Sequence, residues 1–276
     1  METCKSNSDV DWLVFTDCGL PENCADNVKI IDMSFDDYKK LVKETLKINF
    51  NPRDPYKICD IRPAFGVVHY DLIKDYDFFG FGDLDVIYGR IRDFYDNQTL
   101  HEFSVLSTHP ERVSGHFFLM RNTPHLIRAF ERIPSWKDHM SCSEHVRLDQ
   151  AHLKALQDVK DDGNSWWTRK SRFLFQERYS SPCATRNMNW FWKDGILSNE
   201  FYCHLRAHRG FLYLHFADWR SSRWYHFHKK YVKRGAKAPW EGIESLINID
   251  WRQAKNEGFM ISPHGIGPIV WPTYSS

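Results

Sequence analysis

Short apolar runs bounded by polar residues open the chain. The segments "DWLVFTDC" (11–18) and "NVKIIDMS" (27–34) have the length and composition of buried strands. Ser34 then precedes a segment whose apolar residues recur at helical spacing from Tyr38 to Leu46. This pattern predicts a helix that begins at a capping serine.

Strand-like and helix-like segments continue to alternate further along. The strand-like runs are "YDFFGFGDLDVIYG" (76–89), which glycines interrupt, "FSVLSTH" (103–109), "SGHFFLMRN" (114–122), "MNWFWKDGILS" (188–198), which contains an Asp-Gly turn, and "GFLYLHF" (210–216). The helix-like runs are "KICDIRPAFGVVHYDLI" (57–73), whose helix is expected to begin at or after Pro63, "TPHLIRAFERI" (123–133), with Thr123 as N-cap and Pro124 in the first turn, and "SEHVRLDQAHLKALQ" (143–157).

Strands that alternate with helices predict an α/β protein with a mostly parallel central sheet flanked by helices. The sequence shows no internal repeat and no low-complexity linker, so residues 1–276 are interpreted as one domain. Its last part, about 223–276, is a basic and aromatic tail. A solvated cationic face is the simplest interpretation of the tail, while an anionic acceptor, a phospholipid surface, nucleic acid and a mobile lid are alternatives.

Composition narrows the protein class. The net charge of +1 argues against a general nucleic-acid coat, and no nucleic-acid partner is expected. Aromatic residues make up 16% of the chain, which fits a bulky core or a carbohydrate-binding cleft. The seven cysteines are scattered without a C-x-x-C pair, and neither a signal peptide nor a membrane-spanning apolar run is present. We therefore expect a cytoplasmic protein, with peripheral membrane association left open.

The most informative pattern is the D-x-D of Asp83 and Asp85. The chain contains two other such tripeptides, Asp9–Asp11 and Asp75–Asp77, so the spacing alone carries no weight. Asp83 and Asp85, however, lie between "FFGFG" and "VIYG", where two carboxylates would repel each other and resist loss of water. A divalent cation, Mn²⁺ or Mg²⁺, removes both difficulties. A turn with two solvated carboxylates is the alternative.

The segment "CDIRPAFGVVHYDLIKDYDFFGFGDLDVIYG" resembles the centre of metal-dependent glycosyltransferases of the GT-A fold. It is most similar to the capsule and surface-glycan enzymes of bacteria and large viruses. The resemblance extends from "CKSNSDVDWLVFTDC" to "FLYLHFADWRSSRW". It implies a GT-A-like, Rossmann-like sheet whose N-terminal strand is missing or replaced here, because relatives begin with a proline-aromatic-glycine strand.

The resemblance also implies a donor site. Asp83 and Asp85 would hold the metal against the donor diphosphate, with His215 completing the metal ligands. The remaining donor-binding residues that it implies are Thr16, Asp17, Asp60, Arg62, Trp219 and Arg220. A structural ion pair with Lys57 is the alternative for Asp60 and Arg62, and an ordinary strand-end turn is the alternative for Thr16 and Asp17.

For the acceptor, the resemblance implies Gly115 and His116 as binding residues and Asp149 as the general base. Relatives often have Asp-Glu where this chain has Asp149-Gln150. Asp149 could instead be a surface carboxylate that pairs with Arg147 or Lys154.

These observations lead to one expected function and two rivals. The expected function is transfer of a sugar from a nucleoside-diphosphate sugar, a UDP-hexose or UDP-xylose, to a glycan hydroxyl. A metal-dependent phosphohydrolase or nuclease is the first rival, and it predicts a second metal cluster. A non-catalytic nucleotide-sugar-binding relic is the second.

Overall fold

The computed structural model of the chain describes residues 1–159, 173–175, 189–199, 210–215, 247–262 and 265–270. Its helices are α1 Glu2–Lys5, α2 Phe35–Leu46, α3 Phe65–Val68, α4 Tyr70–Ile73, α5 Asn97–Glu102, α6 Pro124–Ile127, α7 Trp136–Ser141, α8 Asp149–Gln157 and α9 Trp251–Glu257. Its strands are β1 Trp12–Thr16, β2 Val28–Asp32, β3 Phe78–Gly82, β4 Val86–Tyr88, β5 Val105–Ser107, β6 Phe117–Arg121, β7 Phe173–Phe175, β8 Trp190–Lys193, β9 Ile196–Asn199, β10 Tyr213–His215, β11 Phe259–Ser262 and β12 Gly265–Gly267. Turns of 3₁₀-helix span Pro55–Ala64, Ile91–Asp93 and Ala129–Arg132.

The described strands form four small sheets, with orders β1-β2, β10-β4, β12-β11-β8-β9 and β3-β6-β5-β7. Only β1 with β2 and β5 with β7 pair in parallel among these strands, and the other pairs are antiparallel. The α/β class is confirmed, but the expectation of a mostly parallel sheet is wrong for the described residues. The helix-rich stretch before β3 had favoured parallel strands. Instead, β3 and β6 pair antiparallel.

The first half of the chain folds as its pattern predicts. Ser34 caps α2, because its Oγ accepts a hydrogen bond from the backbone N–H of Asp37 at 3.1 Å. Helix α2 then buries Tyr38, Val42 and Leu46. Ahead of β1, the described residues form the short helix α1 and no strand.

One predicted helix is preceded by 3₁₀ turns, and another begins later than expected. The helical stretch around Pro63 opens earlier, as 3₁₀ turns from Pro55 that Asp54 caps through the N–H of Tyr56 at 2.9 Å. The α-helical part, α3, does start after Pro63. Helix α8 starts only at Asp149, because Arg147 adopts a left-handed conformation with φ of 57° that ends any helix from 143.

The predicted Asp-Gly turn is confirmed. Asp194 and Gly195 join β8 to β9 with positive φ values of 50° and 81°, as a two-residue hairpin of this kind requires.

Alternate residues of β3 and β6 enter two separate core clusters. Phe79 and Phe118 belong to the cluster that packs on α6 and α8, while Phe78 and Phe117 face the cluster around Tyr95. Both faces of this sheet are therefore buried, and the functional groups can emerge only at the strand ends. Among the helices of the described residues, none has the length and apolar character needed to cross a membrane.

The burial of His152 predicts acid lability. Burial lowers the pKa of this imidazole from 6.5 to about 3. Below about pH 6.5 this histidine is therefore protonated in the unfolded chain but neutral in the folded one. The free energy of unfolding decreases as the pH falls from about 6.5 toward 3. We expect His152→Gln to flatten the loss of unfolding free energy between pH 6 and 4 by up to ~1.4 kcal/mol per pH unit.

Urea unfolding at several pH values measures this effect. His125→Gln, a change at an exposed histidine, is the control and should follow the wild type. If the unfolding free energies of wild type and His152→Gln fell equally with pH, the lowered pKa of His152 would be contradicted.

Candidate metal centre

Strand pairing brings two histidines to the D-x-D. Asp83 follows β3 directly, and its backbone N–H donates to the carbonyl of His116 at 3.2 Å, continuing the β3–β6 ladder. Asp85 precedes β4, where His215 lies opposite Val86 in the antiparallel β4–β10 pair. Two different sheets thus converge on one three-residue connection.

The side chains in this connection point in different directions. Leu84 is 93% exposed, whereas the carboxyl groups on either side of it turn back toward the protein. The Nε2 atom of His215 lies 3.6 Å from Oδ2 of Asp83 and 3.4 Å from Oδ1 of Asp85. The connection therefore exposes its apolar residue and turns its two carboxylates toward one imidazole.

Three ligand atoms lie close enough to share one cation. One atom each from Asp83, His116 and His215 fall within 4.8 Å of one another. The rings of His116 and His215 stack with centroids 3.6 Å apart. Two imidazoles with a carboxylate suit Mn²⁺, Fe²⁺ or Zn²⁺ better than Mg²⁺, which prefers oxygen ligands. The residues fit a divalent cation, and Asp85 stands beside them as a further oxygen donor.

The protonation state of His116 favours metal binding. Burial, reinforced by the charges of His215 and His109, lowers the pKa of His116 to about 3. Its imidazole is therefore neutral near pH 7 and retains a lone pair for a cation. Burial acts to raise the pKa of Asp85, but the hydrogen bond and charge of His215 outweigh it and lower that pKa. Asp85 is therefore a carboxylate at neutral pH.

Arg62 neutralises Asp83. Its guanidinium forms an ion pair with Oδ1 of Asp83, donates to the carbonyl of Gly115 at 3.3 Å and lies over the ring of Phe81. Burial alone would lower the pKa of Arg62, but the charge of Asp83 outweighs it and raises the pKa. Arg62 therefore stays charged beside the D-x-D, and its donor-binding role stays a prediction.

Gly115 lies against the guanidinium of Arg62. A Cβ at Gly115 would come within 2.8 Å of a guanidinium nitrogen of Arg62 and within 3.9 Å of Oδ2 of Asp83. His116, expected at the acceptor site, lies among the potential metal ligands. The acceptor-binding roles of Gly115 and His116 stay predictions.

Asp60 has a structural role, contrary to the expectation that it binds the donor. Its side chain is fully buried and forms an ion pair with Lys57 at 2.9 Å. The backbone N–H groups of Val146 and Arg147 donate to its two oxygens at 2.9 and 3.0 Å, and His145 lies 3.0 Å away. Protein groups bond to both carboxylate oxygens. Asp60 therefore holds the loop before α8 and does not bind a ligand.

The remaining expected residues lie elsewhere or beyond the described part. Thr16 ends β1, and its Oγ1 accepts from the backbone N–H of Cys18 at 3.0 Å, an ordinary strand-end turn. Asp17 is exposed beside it. In the residues described, neither makes a contact with the D-x-D. Trp219 and Arg220 lie outside the described residues, as does most of the basic tail.

Asp149 begins α8 and is half-buried. Burial raises the pKa of its carboxyl above the usual range, and the positive charges of Arg62 and Arg112 offset part of that rise. The general-base role that the resemblance implies for Asp149 stays a prediction.

The place of His116 among the potential metal ligands was not predicted from the sequence. The signal was present, because "FFLMR" and "FFGFG" are two apolar runs that can pair antiparallel. In that register His116 stands across from Asp83.

The Lys57–Asp60 pair predicts a large stability effect. Asp60→Asn leaves the buried Lys57 ammonium without a counter-charge, so we expect a loss of about 3–5 kcal/mol of unfolding free energy. Urea denaturation measures it, with Asp71→Asn, at an exposed carboxylate, as the control. If Asp60→Asn kept wild-type stability and lowered only donor affinity, the donor-binding interpretation of Asp60 would be restored.

The histidine pair predicts Mn²⁺ binding. We expect His215→Asn to weaken Mn²⁺ affinity by at least about tenfold, because an essential ligand is lost. Free Mn²⁺ measured by electron paramagnetic resonance gives the affinity. His109→Asn is the matched control, since His109 contacts His116 edge-on but lies outside the ligand group. Equal affinities in the two variants would contradict the site.

Comparisons with known proteins yield one family and no named relative. No curated protein and no solved structure matches the chain. The profile of one family matches residues 1–238, a span that includes the D-x-D and both histidines. The chain therefore belongs to DUF6625, which is described as a family of unknown function.

Proposed function

We propose that this chain is a metal-dependent glycosyltransferase with a GT-A-like arrangement. It moves a sugar from a nucleoside-diphosphate sugar, with UDP as the nucleotide, to a hydroxyl of a glycan acceptor. We further propose that residues 1–276 act as one domain and that the protein works in the cytoplasm, where it can also approach a membrane surface.

The observation that carries the proposal is the convergence of Asp83, Asp85, His116 and His215 at the end of β3. Carboxylates that follow a buried strand are suited to a cation shared with phosphate oxygens. These four residues would hold Mn²⁺, and the ion, when bound, supplies Lewis-acid neutralisation of charge on the nucleoside diphosphate. The stretch β1-β2-α2, with its parallel pair ahead of the D-x-D, is consistent with a GT-A-like plan.

Arg62 supplies the second positive charge of the proposed site. Two of its nitrogens are used by Asp83 and Gly115, and a guanidinium has further donors available. Such a planar fork binds phosphate oxygens in pairs. Arg62 therefore orients the diphosphate next to the metal ligands and stabilises the charge that develops on the leaving group.

Asp149 is the proposed base. Its partial burial raises its pKa, which makes the carboxylate a better proton acceptor than an exposed one. In an inverting reaction it accepts the proton of the attacking acceptor hydroxyl on a carboxylate oxygen. The positive charge of Arg62 offsets part of that rise and favours the ionised carboxylate.

One observation favours a second function, that of a single-metal phosphohydrolase. The group of two imidazoles and one carboxylate also suits cations that activate water for hydrolysis. Against a two-metal version, the described residues contain one such group. The two functions differ in what happens to the donor, because a hydrolase releases nucleotide and sugar without forming a glycosidic bond to an acceptor.

Asp85 and Asp75 give a matched test of the donor site, since each is part of a D-x-D in the same segment. We expect a UDP-sugar with Mn²⁺ to raise the melting temperature of the wild type, and EDTA to remove the shift. Asp85→Asn should weaken this binding by about tenfold or more, whereas Asp75→Asn should leave it unchanged.

Product analysis completes the test. Transfer of the sugar to a glycan acceptor supports the transferase, and free sugar with no transfer supports the hydrolase. Binding without turnover would identify a non-catalytic relic, and no shift with any nucleotide sugar would reject the donor site.

A further inference from the structure

Lys57 carries a charged amino group that lies inside the protein. The residue is 1% exposed, and its Nζ has four close neighbours. They are Oδ2 of Asp60 at 2.9 Å, the carbonyl oxygens of His139 at 2.7 Å and Glu144 at 2.5 Å, and Sγ of Cys142 at 3.3 Å. An ammonium group has three hydrogens, so the three oxygen atoms satisfy it and the sulfur is a fourth, additional neighbour.

The sulfur of Cys142 shares the surroundings of this amino group. Cys142 follows α7 directly, and its Sγ contacts the same two carbonyl oxygens, those of His139 at 3.2 Å and Glu144 at 3.4 Å. It is a free cysteine and is partly exposed, whereas Lys57 is buried. A small oxidant from solvent can therefore reach the sulfur, while the amino group is held against it from inside the protein.

This contact distinguishes Cys142 from other cysteines. In the described part of the chain, Cys142 is the cysteine whose sulfur is hydrogen-bonded by a lysine. The sulfur atoms of Cys18 and Cys24 instead bond to oxygen atoms. An oxidised sulfur at position 142 thus has an amine beside it that can react with it.

We propose that Lys57 and Cys142 form a modification site, at which oxidation by hydrogen peroxide joins Nζ to Sγ in a reversible sulfenamide bond. In the first step the peroxide oxidises the thiol of Cys142 by two electrons to a sulfenic acid, S–OH, and is itself reduced to water. In the second step the amine of Lys57 displaces the hydroxyl group from the sulfur.

Asp60 makes the second step possible. An ammonium group has no lone pair, and Oδ2 of Asp60 lies within hydrogen-bond distance to accept one of its protons. Rotation about the Cε–Nζ bond then turns the lone pair toward Sγ. The N–S bond forms, the S–O bond breaks, and the departing hydroxide takes a second proton from the nitrogen and leaves as water. The products are a neutral sulfenamide, a protonated Asp60 and water, so atoms and charges balance.

The link also changes the support of the loop before α8. In the reduced protein, Oδ2 of Asp60 faces Lys57 and accepts the backbone N–H of Val146 at 2.9 Å. Once Oδ2 carries a proton it accepts less strongly, and this bond weakens. The loop leads to Asp149 at the start of α8. Oxidation therefore alters the segment that carries the proposed base. This consequence rests on the proposed function, whereas the link itself does not.

Mass spectrometry of the full chain tests the link. We expect wild-type protein treated with a small excess of hydrogen peroxide, and then with catalase, to lose two hydrogens and become about 2 Da lighter. A digest kept free of thiols should contain two peptides joined at Lys57 and Cys142, and dithiothreitol should separate them. Cys18→Ser, at an exposed cysteine, is the matched control and should form the link as the wild type does.

A lysine variant separates the two steps. Lys57→Arg keeps the positive charge beside Asp60 but removes the amine nucleophile. In this variant Cys142 should remain a sulfenic acid that dimedone labels, whereas in the wild type the link should prevent the labelling. Cys142→Ser should remove both the link and the label. The measurements on wild-type protein keep the proposal testable if Lys57→Arg does not fold.

Three results would overturn the proposal. They are a Cys142 that peroxide leaves unoxidised, a wild-type sulfenic acid that dimedone labels while no link forms, and a disulfide from Cys142 to another cysteine. The assay contains neither metal nor nucleotide sugar. Its failure is therefore distinct from a failure of the transferase proposal.

Discussion

The antiparallel register of β3 with β6 determines what surrounds the D-x-D. With Gly82 opposite Phe117, the ladder continues so that Asp83 meets His116 and Gly115 lies beside Arg62. A slip of one residue would turn every side chain of β3 to the other face and move His116 away from Asp83. Because both faces of this sheet carry core clusters, burial of the phenylalanines fixes the register and, with it, the geometry of the site.

Charge balance is the second constraint. Asp83 and Asp85 are held close together, and in the described structure Arg62 and the imidazole of His215 are the groups that face them. A cation among Asp83, His116 and His215 would compete with Arg62 for Asp83. Arg62 pairs with Oδ1 of Asp83, whereas His215 faces Oδ2, so a cation on Oδ2 would share this carboxylate with the arginine and weaken their ion pair. The buried Lys57–Asp60 pair is separate from this balance and supports the loop that leads to Asp149.

The sequence predicted local structure well where one pattern decided it. Ser34 and the apolar spacing after it gave α2, and Asp194-Gly195 gave a hairpin. It failed where long-range pairing decided the outcome, as with β3 and β6, whose relative direction no local pattern encodes. For Asp60 the sequence offered the ion pair with Lys57 as an alternative, but its bonds to Val146 and Arg147 were inaccessible, because these partners are far away in the chain and are main-chain donors. Asp83 and Asp85 were recognisable from their apolar setting, whereas His116 became a potential ligand only through strand pairing.

The most direct test of the metal centre is anomalous diffraction at the manganese edge from crystals soaked with Mn²⁺. We expect a single strong peak enclosed by Asp83, His116 and His215, and loss of that peak in a His215→Asn crystal. A peak elsewhere, or occupancy that survives the loss of His215, would contradict a metal centre at the D-x-D.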